Sequence, residues 1–546
     1  MFDRFRKRFT KAVKNFFMRA GAETGLSREF KSIFELDGVP AFQQFYNFGI
    51  FPWKYLYKGY YEAWHLIAAP TVKDPRAMRK MAYLNLSKAV CSELAGMVWT
   101  DQTEVNVSTN GWNAENGIDP LQEFINEVFH RNAFGTNMLS AVEKAAALGG
   151  EAMKVWREAR RDSDGNEIPD TERIRIGWSA ADQFIPTAWD EAQISDALFI
   201  SRSARGGYYY TRLEWHRWDG LTYTITNELY RSERYRNGNQ QEPQDILGMR
   251  VPLAEIYPLL DEETPVEGIE ASLFSYFKTP TANNIDDNSP LGVSIYGNAM
   301  ETLHALDICF DSFVREFRLG KKRIIVPARM IKTIVDPESG EMRRYFDATD
   351  ETYEALSTDD PDSLKIQDNS VELRVDEHIA AINAFLNIFC LQVGLSSGTF
   401  SFDAKNNGIK TATEVVSENS KTYKTVKNFQ NQIVPAVVRL VENIIAVAAL
   451  YDMKTPSGQS VAQLQKNGFE VNVAMDDGIT QDRQTNINEG VTLVGAGLLS
   501  KKRFLTDAKY GQCLTEEDAE AELQRIAEEQ RIGGDMLDRI NLETAE

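Results

Sequence analysis

The sequence predicts an α+β protein, because helical and strand-like patterns come in separate runs along the chain. Apolar residues recur at helical spacing in two segments before residue 150, and they alternate with polar residues from 151 to 230. After residue 294 the helical spacing returns in several long segments, and a short insert with strand-like sequence separates the first two.

Length and composition indicate a large folded protein and exclude two classes of function. The 546 residues suffice for about three or four domains, and 43% of them are hydrophobic, which is enough for a sizeable core. Lys and Arg number 60 against 80 Asp and Glu, so the net charge of −20 excludes a protein that coats DNA with surplus cations. The cysteines are far apart and lie in no metal-binding motif, so neither a disulfide framework nor a zinc finger is predicted: Cys91, Cys309, Cys390 and Cys513.

The first twenty residues differ from the rest of the chain, with seven bases against one acid. Phe5, Phe9 and Phe16 are interleaved with these bases, so an amphipathic helix for a membrane surface or a nucleic acid is one interpretation. The other is a terminal helix that docks its Phe face on the acidic body. No unbroken apolar stretch predicts a secretory signal here.

The first half of the chain contains helices followed by strands. Helical spacing covers 77–99 and 120–147, and Gly149-Gly150 ends the second pattern. Turn signals at 164–165, 206–207 and 219–220 separate the strands. The predicted strands are residues 151–159, 173–178, 197–203, 208–218 and 222–230. A loop rich in Asn, Asp and Pro, 279–290, closes this region.

Two helices with matching apolar seams follow the loop. The first is predicted over 294–319, and Gly320 ends it. The second begins at Asp376, a residue type that suits an N-cap. Their seam residues repeat at spacings of three and four: Ala299, Leu303, Leu306, Phe310, Phe313 and Phe317 on the first helix, and Ile379, Ile382, Leu386, Phe389 and Val393 on the second. Because no partner for these seams is evident in the sequence, we expect them to pack against another copy of the chain.

The insert between the two helices is acidic, with thirteen acids against four bases from 336 to 376. A strand at 324–327, a hairpin turn at 336–340 and a strand at 371–375 are predicted within it. A Gly/Ser/Asn-rich loop follows the second helix and leads into a long helical pattern over 411–450, where Pro435 should introduce a kink. Pro435, Arg439 and Glu442 interrupt the apolar part of this helix, so it does not predict a membrane span. The segment 480–530 is predicted to be helical.

The sequence contains none of the motifs that would predict catalysis. A phosphate loop, HExxH, GxSxG and GxGxxG are all missing, and the five histidines are scattered. We therefore expect no enzymatic activity, no cofactor and no metal.

The order of these features resembles that of tailed-bacteriophage portal proteins of the siphophage type. The segments that carry the resemblance are 289–327 (SPLGVSIYGNAMETLHALDICFDSFVREFRLGKKRIIVP) and 394–420 (GLSSGTFSFDAKNNGIKTATEVVSENS). The resemblance implies a portal-protein fold with wing, stem, clip and crown regions. In this chain the implied regions are an N-terminal region and wing at 1–290, stem helix 1 at 291–320, the clip at 321–375, stem helix 2 at 376–394, a tunnel loop at 395–410, a kinked wing helix with the remaining wing at 411–479, and a helical acidic crown at 480–546.

The resemblance also implies a function. Portal proteins form a dodecameric channel at one capsid vertex, through which double-stranded DNA is packaged by the terminase and later ejected. The implied partners are further copies of the chain, the terminase large subunit, a head-tail adaptor protein, the major capsid and scaffolding proteins, and DNA bound without sequence specificity. The implied location is the virion, and the host cytoplasm during assembly.

Three groups of residues are the implied functional sites. Stem packing between subunits is expected of Leu303, Leu306, Phe310, Phe313, Phe317, Ile382, Leu386 and Phe389. Contact of the tunnel loop with DNA is expected of Gly398, Asp403, Lys405, Asn406, Asn407, Gly408 and Lys410. Lys321, Lys322 and Arg323 either contact DNA phosphates at the junction of stem and clip, or neutralise the acidic insert and the negative end of the first stem helix. The loop has an alternative as well, as a plain connector between helices.

Two other functions compete with this one. A terminase-like ATPase would share the virion context, but it requires the phosphate loop that this sequence lacks. A membrane-peripheral or other virion scaffold protein without a DNA channel would explain the basic N-terminus but leaves the paired helices unexplained.

Overall fold

We describe the fold from a computed structural model. The residues that it describes are 29–30, 32–70, 74–112, 117–159, 172–191, 193–233, 246–320, 324–325, 332–335, 342–345, 367–368, 372–400, 412–475, 483–506 and 519–526.

The helices of the described residues fall into an N-terminal group, a central pair and a C-terminal group. Their bounds are α1 Gln43–Phe45, α2 Phe51–Tyr57, α3 Glu62–His65, α4 Leu86–Val98, α5 Pro120–Arg131, α6 Phe134–Leu148, α7 Met300–Leu319, α8 Val375–Val393, α9 Ala412–Leu450, α10 Val461–Asn467, α11 Arg483–Gly495, α12 Lys501–Thr506 and α13 519–526. A π-helical turn, Tyr46–Ile50, joins α1 to α2.

The strands are concentrated between residues 150 and 278. Their bounds are β1 Glu29–Phe30, β2 Leu66–Ala68, β3 Met78–Lys80, β4 Glu104–Thr109, β5 Gly150–Glu158, β6 Arg173–Ala180, β7 Phe184–Trp189, β8 Ile194–Arg205, β9 Tyr208–Asp219, β10 Thr222–Glu233, β11 Gly248–Val251, β12 Glu263–Val266, β13 Phe274–Lys278, β14 Ile324–Ile325, β15 Lys332–Val335, β16 Met342–Tyr345, β17 Gln367–Asp368 and β18 Phe469–Ala474.

The largest sheet has seven strands in the order β1-β11-β10-β9-β8-β7, with β12 also paired to β10. Its centre consists of the long strands β8, β9 and β10, which the turns at Gly206-Gly207 and Gly220 connect. These glycines have φ of 62°, 121° and 66°, which is the left-handed backbone that tight hairpins require. The register runs from Asp219 opposite Thr222 to Tyr208 opposite Glu233, so the strands pair along their whole length. The three predicted central strands are confirmed.

A three-stranded sheet, β13-β5-β6, lies between the large sheet and the helices. Its β5 packs against α6 and α9, and α9 is an apolar core helix whose side chains at Phe429, Ile433 and Ile444 are buried. A second sheet, β4-β18, joins two strands that lie more than 350 residues apart in the chain. The C-terminal part therefore completes the N-terminal body.

Within the described residues, one helical segment, Ser420–Leu450, is long and apolar enough to cross a membrane. More than half of its most apolar window is buried inside the protein, and Leu440, Val441 and Ile445 are fully covered. A mostly buried core helix has the same apolar composition as a membrane span, so the position of this segment in the core explains why its sequence is so apolar.

Several expected element boundaries are wrong. Residues 78–80 form β3 rather than helix, because they pair with β2, and α4 begins only at Leu86 after Asn85 in left-handed conformation (φ 52°). A short 3-10 turn, Gly297–Ala299, precedes α7, so the helix starts at Met300 rather than at 294. Residues 372–374 are not a strand, and α8 begins at Val375, which places Asp376 in its first turn rather than at the N-cap.

Candidate functional site

Helices α7 and α8 form an antiparallel pair. The end of α7 lies beside the start of α8, because the Arg374 guanidinium donates two hydrogen bonds to the carboxylate of Glu316, at 3.1 and 3.0 Å. These bonds hold the pKa of Glu316 below its usual range. Next to them, the Phe313 ring lies 5.5 Å from His378, and His378 Nε2 lies 4.0 Å from a Glu316 oxygen.

Most of the seam between these helices is buried inside one chain. Leu303 and Leu306 on α7, and Ile382, Leu386 and Phe389 on α8, belong to the same continuous hydrophobic core. The expectation that the seams have no partner within the chain is therefore wrong, because helical periodicity shows that a face is covered but not which element covers it.

The remaining seam residues lie toward the insert. Phe310 and Phe313 are half-buried, and Phe317 is 48% exposed at the end of α7. Their packing against another subunit stays a prediction.

A second face of α7 carries two buried carboxylates that sequence reasoning missed. Asp311 accepts hydrogen bonds from both terminal nitrogens of Arg79, at 2.8 and 2.6 Å, and from the backbone N–H of Ala82 at 3.0 Å. One turn earlier, Asp307 accepts from the backbone N–H of Leu84 at 2.9 Å, and its other oxygen lies 3.1 Å from His65 Nε2. These contacts attach the segment from β3 to α4 along the side of the helix.

The electrostatics of this attachment follow from its hydrogen bonds. The bonds from Arg79, more than the opposing effect of burial, hold the pKa of Asp311 below its ordinary value, and the same pair raises the pKa of Arg79. The signal available in the sequence was the spacing of four between the two acids on a helix otherwise packed by apolar residues.

The chain after α8 is fixed to α9 at the point where the predicted tunnel loop begins. Gly394 ends α8 with φ 83°, and its carbonyl accepts a hydrogen bond from Thr425 Oγ1 at 2.6 Å. The Ser396 backbone N–H donates to Thr422 Oγ1 at 2.9 Å, and Gly398 N–H donates to Asn387 Oδ1 at 3.1 Å. The described start of the loop is therefore anchored to both helices that flank it.

Half of the predicted functional residues lie outside the described part of the chain. Gly398 is described, and it is exposed with φ 85°, a conformation that favours glycine. The other tunnel-loop residues fall within 401–411 and the three basic residues within 321–323, both outside the described residues, as does the basic segment 1–20.

A buried charged network lies in the sheets, away from the helix pair. The Glu214 carboxylate accepts from Lys154 at 2.5 Å and from Arg212 at 2.8 Å, and its other oxygen lies 2.9 Å from His216 Nε2. Burial alone would raise the pKa of Glu214, but Lys154, His216 and Arg212 together hold it below its usual range. Tyr223 Oη lies 2.6 Å from His216 Nδ1, so the ring is held from both sides. This network joins β5 of one sheet to β9 of the other.

Among the described residues, no group of three His, Cys, Asp or Glu side chains is arranged to hold a metal ion. The described sites instead consist of helix-packing contacts and ion pairs that fix one element against another. Such contacts stabilise the fold of the single chain.

The comparisons with known proteins identify the class. The family model described as "Phage portal protein, SPP1 Gp6-like" matches residues 53–532 of this chain, which is nearly its whole length. The chain belongs to this family of phage portal proteins. No curated protein matches the chain closely enough to count as a relative.

Membership in this family establishes the general function and confirms the resemblance. The family implies a phage portal, a component of the virion capsid that assembles as an oligomeric ring and takes part in DNA packaging. Portal proteins are generally structural and non-enzymatic. The predicted α+β class agrees with the mixed helices and sheets of the structure.

Proposed function

We propose that twelve copies of the chain form a closed ring at one capsid vertex, and that double-stranded DNA passes through its channel. The terminase large subunit would drive DNA inward during packaging, and the same channel would conduct the genome outward at ejection. The observation that carries this proposal is the family match over residues 53–532.

The regions of the ring are proposed from the order of elements. Helices α7 and α8 are the stem, the segment between them with its paired strands β14-β17 and β15-β16 is the clip, and the large sheet with α9 belongs to the wing. The helices after residue 480 are the crown. The clip is the proposed attachment point for a head-tail adaptor protein, and the capsid and scaffolding proteins surround the wing.

The charge of the chain supports a conduit rather than a DNA-binding surface. Each copy carries a net charge of −20, so a ring of any size is strongly acidic. Like charge repels the phosphate backbone, and this lets DNA slide without sticking to the wall. Lys321, Lys322 and Arg323 would add a basic band at the junction of stem and clip that contacts phosphates in a salt-dependent way.

The loop from 395 to 410 is proposed to project into the channel and to touch DNA sterically, without base readout. Its anchored start supports this role: the bonds of Ser396 and Gly398 fix where the loop leaves the helices. Only two bases and one acid, Lys405, Lys410 and Asp403, lie in the loop, so contacts with phosphates would be weak and mobile.

Deletion of residues 405–408 tests this proposal in the phage's own packaging system. We expect rings of normal size and a loss of packaged or retained genome, measured as the length of nuclease-protected DNA in purified heads. The matched control replaces the same four residues with Gly and Ser, which keeps the loop length. Full-length packaging by the deletion would make the loop a plain connector, and loss of ring assembly would place it in the subunit interface.

A further inference from the structure

The stem helices carry apolar residues on the faces that point away from their shared seam. On α8, Ala380, Ala384, Ile388 and Leu391 repeat at spacings of four, four and three, which places them on one side of the helix. Ile388 is 46% and Leu391 62% exposed. On α7 the face opposite the core includes Ile308, which is 47% exposed. Large apolar side chains that are about half exposed along two neighbouring helices indicate a contact surface.

The contacts inside one chain fix which residues of the two helices lie at the same height. Glu316 contacts both Arg374 and His378, which lie one helical turn apart, so it is level with the midpoint between them, Asp376. In an antiparallel pair the residue number on one helix falls as that on the other rises, so Arg315 is level with Glu377. At equal rise per residue, Ser312 is then level with Ala380, and Ile308 with Ala384.

Rotation about an axis parallel to the helices moves a residue around the ring without changing its height. If the outward face of α7 in one copy packs on the outward face of α8 in the next copy about such an axis, the pairing of levels is the same as within one chain. This contact is heterologous, since two different faces meet, and heterologous contacts are the kind that close rings.

The faces are complementary at these levels in both size and charge. Ile308 faces the small Ala384, and one turn away Ile388 lies within one residue of the level of the small Ala305, so a large side chain meets a small one on both helices. At the end toward the clip, the exposed cation Arg315 faces the exposed acid Glu377. An ion pair at this position would fix the register of the two helices, because their apolar contact alone is compatible with several registers.

We propose that the stem interface between neighbouring copies is formed by the outward faces of α7 and α8, with Arg315 of one copy beside Glu377 of the next, and not by the part of the seam that is buried within one chain. This inference rests on the proposed ring and names the surface that closes it. The seam residues Leu306 and Phe389 hold each helix pair together, whereas Ile308 and Ile388 join one pair to the next.

Paired cysteines test the register. In Ser312→Cys/Ala380→Cys, two small exposed residues become thiols at the same level on the two helices that face each other across the proposed interface, the arrangement that a disulfide requires. Mild oxidation should convert rings into a ladder of covalent oligomers on a non-reducing gel, and reduction should reverse it. The control Ser312→Cys/Leu391→Cys displaces one thiol by eleven residues, about 16 Å along the helix, and should give no ladder above the parent chain.

Charge exchange provides a second test where the cysteine variants fail to assemble. Arg315→Glu and Glu377→Arg should each reduce ring yield at low salt, and the double variant should restore it. In the cysteine test, rings of Ser312→Cys/Ala380→Cys that give no ladder, or an equal ladder from Ser312→Cys/Leu391→Cys, would show that the proposed faces are wrong. Neither result would contradict the ring itself. A parent chain that forms no ring would overturn the proposed function itself, and native mass measurement of the parent separates the two cases.

Discussion

Arg79 and Asp311 form a two-bonded ion pair that ties strand β3 to the middle of stem helix α7. Their side chains are 26% and 9% exposed, and the backbone N–H of Ala82 donates a third hydrogen bond to the same carboxylate. Two hundred and thirty-two residues separate the pair in sequence. A helix proposed to belong to the stem is therefore fixed to the N-terminal part of the body by a largely buried charge.

Replacing Asp311 by Asn tests that attachment. The variant keeps the shape of the side chain but loses the charge that accepts three hydrogen bonds, and we expect it to lower the free energy of unfolding by about 1–3 kcal/mol at pH 7. Because the pKa of Asp311 is depressed in the folded state, its contribution is present above the unfolded pKa near 4 and is lost as pH falls through the folded value. Urea unfolding at pH 7 and at pH 3 should show a smaller difference at the lower pH. Asp376→Asn, an exposed acid on α8, is the control. An equal loss at both pH values would contradict the account.

Glu151 should destabilise the protein as the pH rises. Its carboxylate is 1% exposed and finds no hydrogen-bond partner among the described residues, and burial, opposed by Lys144 and reinforced by Asp182, raises its pKa. A raised folded pKa means that stability is lost above the unfolded pKa near 4.3, because the folded state must hold a proton that the unfolded chain releases. We expect Glu151→Gln to gain stability relative to the parent between pH 5 and pH 8, measured by the urea midpoint. A difference that stays constant with pH would show that Glu151 does not take up this proton.

Gly149 lies at a close approach of two backbone segments. It ends α6 with φ 97°, and a Cβ placed there would lie 2.2 Å from the carbonyl oxygen of Gly292. Gly149→Ala should therefore cost several kcal/mol, about the scale of a large core substitution, and should lower the thermal midpoint markedly. Gly96→Ala is the matched control, since this exposed helical glycine meets nothing within 4 Å and alanine there should gain about 0.5–1 kcal/mol. Equal effects of the two substitutions would be inconsistent with the packing described.

Neighbouring residues on α8 should separate folding from assembly. Phe389 is fully buried, so Phe389→Ala should cost about 3–5 kcal/mol of subunit stability. Ile388→Ser changes a half-exposed residue and should leave far-UV circular dichroism and the soluble yield unchanged while it reduces ring yield. Size-exclusion chromatography with light scattering measures both outcomes. Intact rings from Ile388→Ser together with normal stability of Phe389→Ala would contradict the assignment of the two faces.

Elements with strong local signals could be predicted from the sequence, and those that depend on distant partners could not. The hairpin of β9 and β10 was predictable because period-two alternation and the Asp219-Gly220 turn agree. The pairing of β4 with β18 was not, since its register is set between Thr109 and Phe469, far apart in the chain.

The candidate site shows the same division. The seams of α7 and α8 were evident from their spacing, yet the spacing could not show that Leu306 and Phe389 share a core within one chain. Asp307 and Asp311 were overlooked because acids beside a seam ordinarily face solvent, and their partners at His65 and Arg79 lie in a distant segment. Tertiary contacts of this kind leave little trace in local patterns.

The most direct test of the central claim is the native mass and symmetry of the purified chain, measured by native mass spectrometry and by negative-stain imaging. A portal ring predicts particles with a central hole and a mass that is a whole multiple, twelvefold by our proposal, of the 61.8 kDa subunit. A closed ring with another number of subunits would support the channel and correct its symmetry. Monomers of 61.8 kDa at micromolar concentration, with no ring in images of the same sample, would contradict the account.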